Sequence, residues 1–238
     1  PFLPGHSIVP TGGTGAGVVS KAGSAIAAAP FGSASILPIP WMFLKLLGES
    51  GLKESTGMAG LNANYMATVL GEKFKIAFTG TNGQCAHEFI VDLRMYKEHG
   101  LVEEDVAKRL QDYGFHSPTM SWPVAGTLMI EPTESEDKAE MDRFCEAMFL
   151  IHAEMQEVVD GRVTAEQSPL KHAPHTMDMI ARADWDSHHV YSRETAAFPA
   201  PWTNAAKKFW PTVGRVDNVY GDRNLVCSCP PMSAWDEE

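Results

Sequence analysis

Positive charge is scarce in this chain: 19 Lys and Arg stand against 30 Asp and Glu, a formal net charge of −11. Nucleic acid and anionic membrane surfaces both require clustered cations, so neither is the expected partner. Long apolar runs are also missing. The nearest approach, Ile36 to Leu47, is interrupted by Pro38, Pro40 and Lys45 and falls short of the ~20 residues that cross a bilayer. Cysteine is sparse, with only Cys85, Cys145, Cys227 and Cys229, and none of these forms a C-x-x-C pair or sits at zinc spacing. A disulfide scaffold and a metal site are therefore not expected, and a reducing compartment is. The chain opens on Pro1 rather than Met, and its first ten residues lack the basic start and apolar centre of a signal peptide and the Arg-rich character of a transit peptide. It reads as a fragment whose N-terminus lies upstream. The glycine-rich Thr11–Gly17 lacks the G-K-[ST] ending of a phosphate loop and follows no strand pattern, so it reads as a surface loop.

What is present is enough apolar residue, 44% of 238, to bury a core. Pro40 suits the first turn of a helix through Trp41–Leu47, which Gly48 and Gly51 should stop. Met58, Leu61, Tyr65, Met66, Val69 and Leu70 recur at helical spacing, with Gly71 after them. Phe74, Ile76 and Phe78 alternate as a strand does; Asn82-Gly83 offers a turn, and His87–Arg94 the return strand. Glu103–Tyr113 reads as a helix with an acidic first turn, ended by Gly114. The apolar run Thr127–Ile130 is a short buried strand, and Thr133-Glu134-Ser135-Glu136 has the spacing of a capping box. Met141, Phe144, Met148, Ile151, Met155 and Val158 mark one face of a long helix closed by Gly161. This order predicts a small two-layer α/β domain with helices on a mainly antiparallel sheet. Past Gly161 the periodicity lapses into an extension wrapped over another surface.

Several long blocks carry a family resemblance: Ala29–Ile39 (APFGSASILPI), Leu61–Met66 (LNANYM), Thr127–Glu134 (TLMIEPTE), Tyr191–Trp202 (YSRETAAFPAPW) and Lys208–Leu225 (KFWPTVGRVDNVYGDRNL). They resemble the C-terminal part of glycine decarboxylase, the P-protein of the glycine cleavage system. The resemblance runs from Pro1 to about Cys227, and Ser228–Glu238 departs from it.

The resemblance implies a pyridoxal-phosphate enzyme of the aspartate-aminotransferase fold type (fold type I). Such an enzyme decarboxylates glycine and passes the aminomethyl group to the lipoyl arm of the H-protein, as a homodimer, in the mitochondrial matrix of a eukaryote or the cytoplasm of a bacterium. It divides the chain into the end of the large cofactor domain (1–40), the small α/β domain (41–161) and an extension (162–238). The lysine that anchors the cofactor in this family lies upstream of a segment like Pro1–Pro4, so the chain alone is expected to be inactive. By fold analogy, Gly32 and Ser33 are expected to reach a partner's cofactor phosphate; their alternative is a tight turn that admits only small side chains.

The residues offer further candidates. His116 and Thr119 sit in the loop feeding the central strand, where a site between domains would lie. In aminotransferases of this fold type that strand carries an arginine that grips the substrate carboxylate. Here the position is Met129, which either favours decarboxylation over transamination, with Glu131 and Thr133 shaping the turn beside it, or is plain core. Cys227 and Cys229 are candidate thiols for pinning the tail over the site, or ordinary tail thiols. Arg215, Asp217, Asp222 and Arg223 read as a salt-bridged anchor. His87-Glu88 reads as structural, and the histidines at 172, 175, 188 and 189 read as surface. The rival function is a non-catalytic α/β interaction module derived from half of such an enzyme.

Overall fold

The structure, a computed structural model, describes residues 33–226. The glycine-rich stretch Thr11–Gly17, Gly32, Cys227 and Cys229 lie outside the described residues. The chain divides into two compact units, Pro1–Thr56 and Gly57–Glu238.

In the first unit, a 3-10 turn at Ala34–Ile36 leads into helix α1 (Pro38–Leu70), which continues into the second unit. Gly48, at φ 61°, breaks the helical path, because only glycine adopts that conformation freely. The expected stop at Gly51 does not occur: its backbone is compatible with helix, so one break suffices and the chain resumes a helix through Leu70. Trp41, Met42, Phe43 and Leu44 are all exposed, and Leu46 is 81% exposed.

The second unit holds a four-stranded antiparallel sheet in the order β1 (Lys75–Ala77), β2 (Phe89–Asp92), β4 (Thr127–Ile130), β3 (Thr119–Met120). Register explains which side chains form the core. Phe89 opposes Ile130 and Val91 opposes Leu128, and directly opposed residues share a face. Those four join Ala63, Met66 and Leu70 of α1 in the hydrophobic core. Ile90 opposes Met129 on the other face.

Helix α2 (Glu103–Asp112) follows a 3-10 stretch at Arg94–His99, and α3 (Lys138–Val159) follows β4. Met141, Met148, Ile151, Met155 and Val158 of α3 are buried, as their spacing predicts, whereas Phe144 is only half-buried and Cys145 beside it takes the core position. The expected capping box at Thr133 is not the start of this helix. Asp137 caps it instead, accepting a hydrogen bond from Glu140 N at 2.8 Å, while Thr133 opens a separate turn with φ 60°. The sequence offered two acceptors at workable spacing, and the aspartate next to the helix won.

The extension is ordered by short helices: α4 (Pro169–His172), α5 (Met177–Ala181), α6 (Trp185–His188), α7 (Arg193–Ala197) and α8 (Asn218–Arg223). What fastens it is a row of buried charges on α2. Asp105, Arg109 and Asp112, four and three residues apart, lie on one helix face and are all fully buried. The Asp105 carboxylate accepts from Val102 N (2.8 Å), Lys171 Nζ (2.7 Å) and the Arg215 guanidinium. Arg109 donates to both oxygens of Glu154, to Asp112 Oδ2 (3.0 Å), and to the carbonyls of Thr195 (2.8 Å) and Ala196 (3.1 Å). The carboxylate of Asp112 meets His175 N and Nδ1, each at 2.7 Å, and its backbone carbonyl accepts from Lys208 Nζ at 2.6 Å. A buried charge must be paired to be tolerated; Arg109 finds Asp112 on its own helix and Glu154 on α3, while Asp105, Asp112 and the remaining Arg109 donors are met from the extension. Arg215 is thus an anchor as expected, but Asp217, Asp222 and Arg223 form no ion pair among the described residues, and Asp217 instead caps α8 by accepting from Tyr220 N at 2.9 Å. The surface assignment of His175 is overturned: it is fully buried, because Asp112 and Tyr191 Oη (2.8 Å) satisfy its ring nitrogens.

Candidate functional site

The loop after α2 turns at Gly114 (φ 86°), runs through Phe115–Pro118 and enters β3 at Thr119. Ser117 Oγ ties this loop back by donating to Ala107 O (2.6 Å) and accepting from Gln111 Nε2 (2.9 Å). Together with the end of β4, the following turn and the first turns of α3, the loop encloses a cleft of about 470 Å³. His116, Thr119, Met129 and Glu131 all line this one cleft. Met129 reaches it from the strand, half-buried, on the face opposite Leu128 and Ile130. Met66, Phe115, Pro132, Met141 and Phe144 add apolar wall.

The polar character of the cleft comes from carboxylates. Glu131, Glu136 and Glu140 line it. Glu140 is paired with Arg143, whose Nε donates to it at 2.8 Å. The Arg143 guanidinium also lies 3.9 Å from the centre of the Phe115 ring, and that ring meets Phe144 edge-on at 5.1 Å. Glu131 and Glu136 have no cation within ion-pair distance among the described residues. The cleft therefore combines apolar walls with a negative rim and offers no guanidinium to a bound carboxylate.

Thr133 makes the turn that carries Glu131 into the rim. Its hydroxyl accepts from Ser135 N (3.2 Å), and its carbonyl accepts from Nδ2 of Asn62 on α1 at 2.9 Å. One helical step on, Asn64 holds a second loop: its Nδ2 donates to Cys85 O (2.8 Å) and its Oδ1 accepts from Cys85 N (2.9 Å). Neither asparagine was given a role from the sequence, although both fall in the Leu61–Met66 block that carries the family resemblance.

Ser33 lies exposed in the first unit at the start of the 3-10 turn, its Oγ 2.9 Å from that of Ser35. His87 and Glu88 form an exposed pair 3.9 Å apart. Among the described residues no group of His, Cys, Asp and Glu is arranged to hold a metal ion, and no helix is long and apolar enough to cross a membrane.

Comparison with known proteins adds a family to this geometry. The family model for the C-terminal domain of glycine dehydrogenase matches residues 55–175. Mouse mitochondrial glycine dehydrogenase (decarboxylating) is 55% identical over 241 residues, covering 99% of this chain and 23% of its own length. The proteins of the same name from Dictyostelium discoideum and Deinococcus radiodurans are each 57% identical over 236 residues, covering 99% of this chain and 23% and 24% of their own. The chain thus spans about a quarter of the length of the curated relatives it matches.

Proposed function

Because the chain belongs to the glycine dehydrogenase (decarboxylating) family, matching its C-terminal region, we propose that it contributes the small-domain wall of a site that decarboxylates glycine. In the whole protein the aminomethyl group then passes to the lipoyl arm of an H-protein, within a homodimer of the aminotransferase fold type. The observation that supports this reading most directly is the gathering of His116, Thr119, Met129 and Glu131 around one cleft.

Pyridoxal phosphate, when bound, supplies the electron sink for the charge left as carbon dioxide departs. The Ser33 hydroxyl, with the neighbouring Gly32, is the group in this chain suited to its phosphate.

The chain's own contribution is a choice of environment for the leaving carboxylate. A guanidinium at the Met129 position would hold that carboxylate as an anion and stabilise the ground state. Only interactions stronger in the transition state than in the ground state accelerate the step. Met129 presents a thioether instead, and the rim carboxylates of Glu131 and Glu136 favour loss of negative charge from the cleft. Phe115, Met141 and Phe144 exclude water, and the exposed His116 at the mouth can carry a proton on a ring nitrogen.

The test is Met129→Arg in the full-length protein, following glycine carboxyl exchange with bicarbonate and transamination of glycine to glyoxylate. A charged hydrogen bond is worth about 1.5–3 kcal/mol, so decarboxylation should fall roughly 10- to 100-fold relative to transamination. An unchanged partition, in a folded variant that still binds glycine, would refute the reading.

A further inference from the structure

Thr133 is held in a left-handed conformation, φ 60°, that a β-branched side chain adopts only when its surroundings enforce it. Its flanks are Glu131 and Pro132 on one side and Glu136 on the other, all lining the cleft. Two local bonds within the turn, Ser135 N and Oγ to Thr133 Oγ1, are side-chain contacts that do not fix which way the Thr133 carbonyl points. Among the described residues, the one bond to that carbonyl comes from Asn62 Nδ2, 71 residues earlier in the chain. Asn62 is only 4% exposed, and Met66, one turn along the same helix, is itself a wall of the cleft.

We infer that Asn62 is a positioning residue for this cleft: through the Thr133 carbonyl it holds the 131–136 turn in its strained form and so sets where the acidic rim stands. Two states of the turn stand in balance. Relaxing Thr133 to an extended conformation would relieve the backbone but rotate its carbonyl away. A buried amide donor would then be left without a partner, which is unfavourable. With Asn62 in place the strained turn wins, and without it the relaxed turn does. Asn62 touches no substrate in this scheme, and the scheme rests on the reading that the cleft serves glycine decarboxylation.

The experiment is a double-mutant cycle in the full-length protein. Asn62→Ala should lower kcat for glycine carboxyl exchange about tenfold without raising KM, because the displaced rim carboxylates no longer favour loss of negative charge from the cleft. Adding Thr133→Gly should return kcat to within about threefold of wild type, since glycine adopts the left-handed form without help. A residue that merely stabilised the fold would lower the melting temperature without moving kcat of the folded protein, and Thr133→Gly would not compensate. Should Asn62→Ala fail to fold, the isosteric Asn62→Asp keeps the volume but replaces the donor with an acceptor, and the same fall in kcat is required. An unchanged kcat in either folded variant, or no recovery with Thr133→Gly, overturns the inference. Amide hydrogen exchange over residues 131–136 separates the two layers of the argument. Faster exchange in the variant supports the link from Asn62 to the turn, and unchanged exchange overturns it, whatever the substrate is. Wild-type protein that exchanges no glycine carboxyl overturns the substrate assignment, and with it the catalytic half of the inference.

Discussion

Replacing Arg109 by methionine removes one group and strands several. Methionine fills much of the same volume, so the loss is of charge and hydrogen bonds more than of packing. Glu154 loses its bidentate partner, Asp112 loses a guanidinium at 3.0 Å, and the carbonyls of Thr195 and Ala196 lose their donors. Removing one partner of a buried ion pair costs about 3–5 kcal/mol, because the remaining charge stays buried. Each carbonyl adds about 1 kcal/mol at most, less if water enters. A total near 5 kcal/mol would consume much of the roughly 5–15 kcal/mol by which a domain of ordinary stability is folded. Urea titration of wild type and Arg109→Met should therefore show a large fall in midpoint. Because Arg109 is the contact to Thr195 and Ala196, trypsin should also cut at Arg193 much faster in the variant. Adding Glu154→Gln removes one orphaned charge and should recover at least about 1 kcal/mol. A loss below about 1 kcal/mol, with tryptic cleavage unchanged, would show that the buried row of charges does not hold the extension.

Two further outcomes follow from other contacts. Burial pushes His175 below its usual range, with Arg109 adding to the effect and Asp112 opposing it; the unfolded chain binds a proton near pH 6.5 that folded His175 refuses, so stability should fall by up to about 1.4 kcal/mol per unit as pH drops below that value. His152 shifts the same way by burial, so the diagnostic is that His175→Gln lessens the slope between pH 6.5 and 5; an identical slope in both proteins would contradict the assignment. Asp137→Ala deletes the cap of α3 and should cost about 1 kcal/mol in urea titration, whereas Thr133→Ala, outside the helix, should leave the helix cap intact.

The parts of the fold legible in the sequence were those written in a single period. α3 announced itself through an apolar stripe, Met141, Phe144, Met148, Ile151, Met155 and Val158, three and four residues apart, and β4 through an apolar run closed by Glu131-Pro132. The candidate cleft was legible because its residues cluster within the 116–131 stretch, so proximity in the chain stood in for proximity in space. α2 was placed correctly, but its most important face was invisible. The sequence did not single out Asp105, Arg109 or Asp112, since nothing local tells a solvated charge from a buried one. What distinguishes them is Arg215, Lys171 and His175, which lie 63 to 110 residues away. For the same reason His175 looked like a surface histidine. Asn62 was hidden differently: a helix tolerates asparagine in solvent, and only the distant Thr133 carbonyl explains why one is buried here.

The row of charges on α2 also decides where this polypeptide can be trimmed. The family model ends its match at residue 175, and a cut there would seem to follow a natural boundary. Such a cut would discard Arg215, Lys208 and the Thr195–Ala196 carbonyls while leaving Asp105, Arg109 and Asp112 beneath the exposed scar. The smallest piece that keeps every one of those side chains matched extends to Arg215, forty residues past the end of that model's match. Shorter versions should accumulate in inclusion bodies, and a recoverable soluble product is expected only once the final arginine of the set is included.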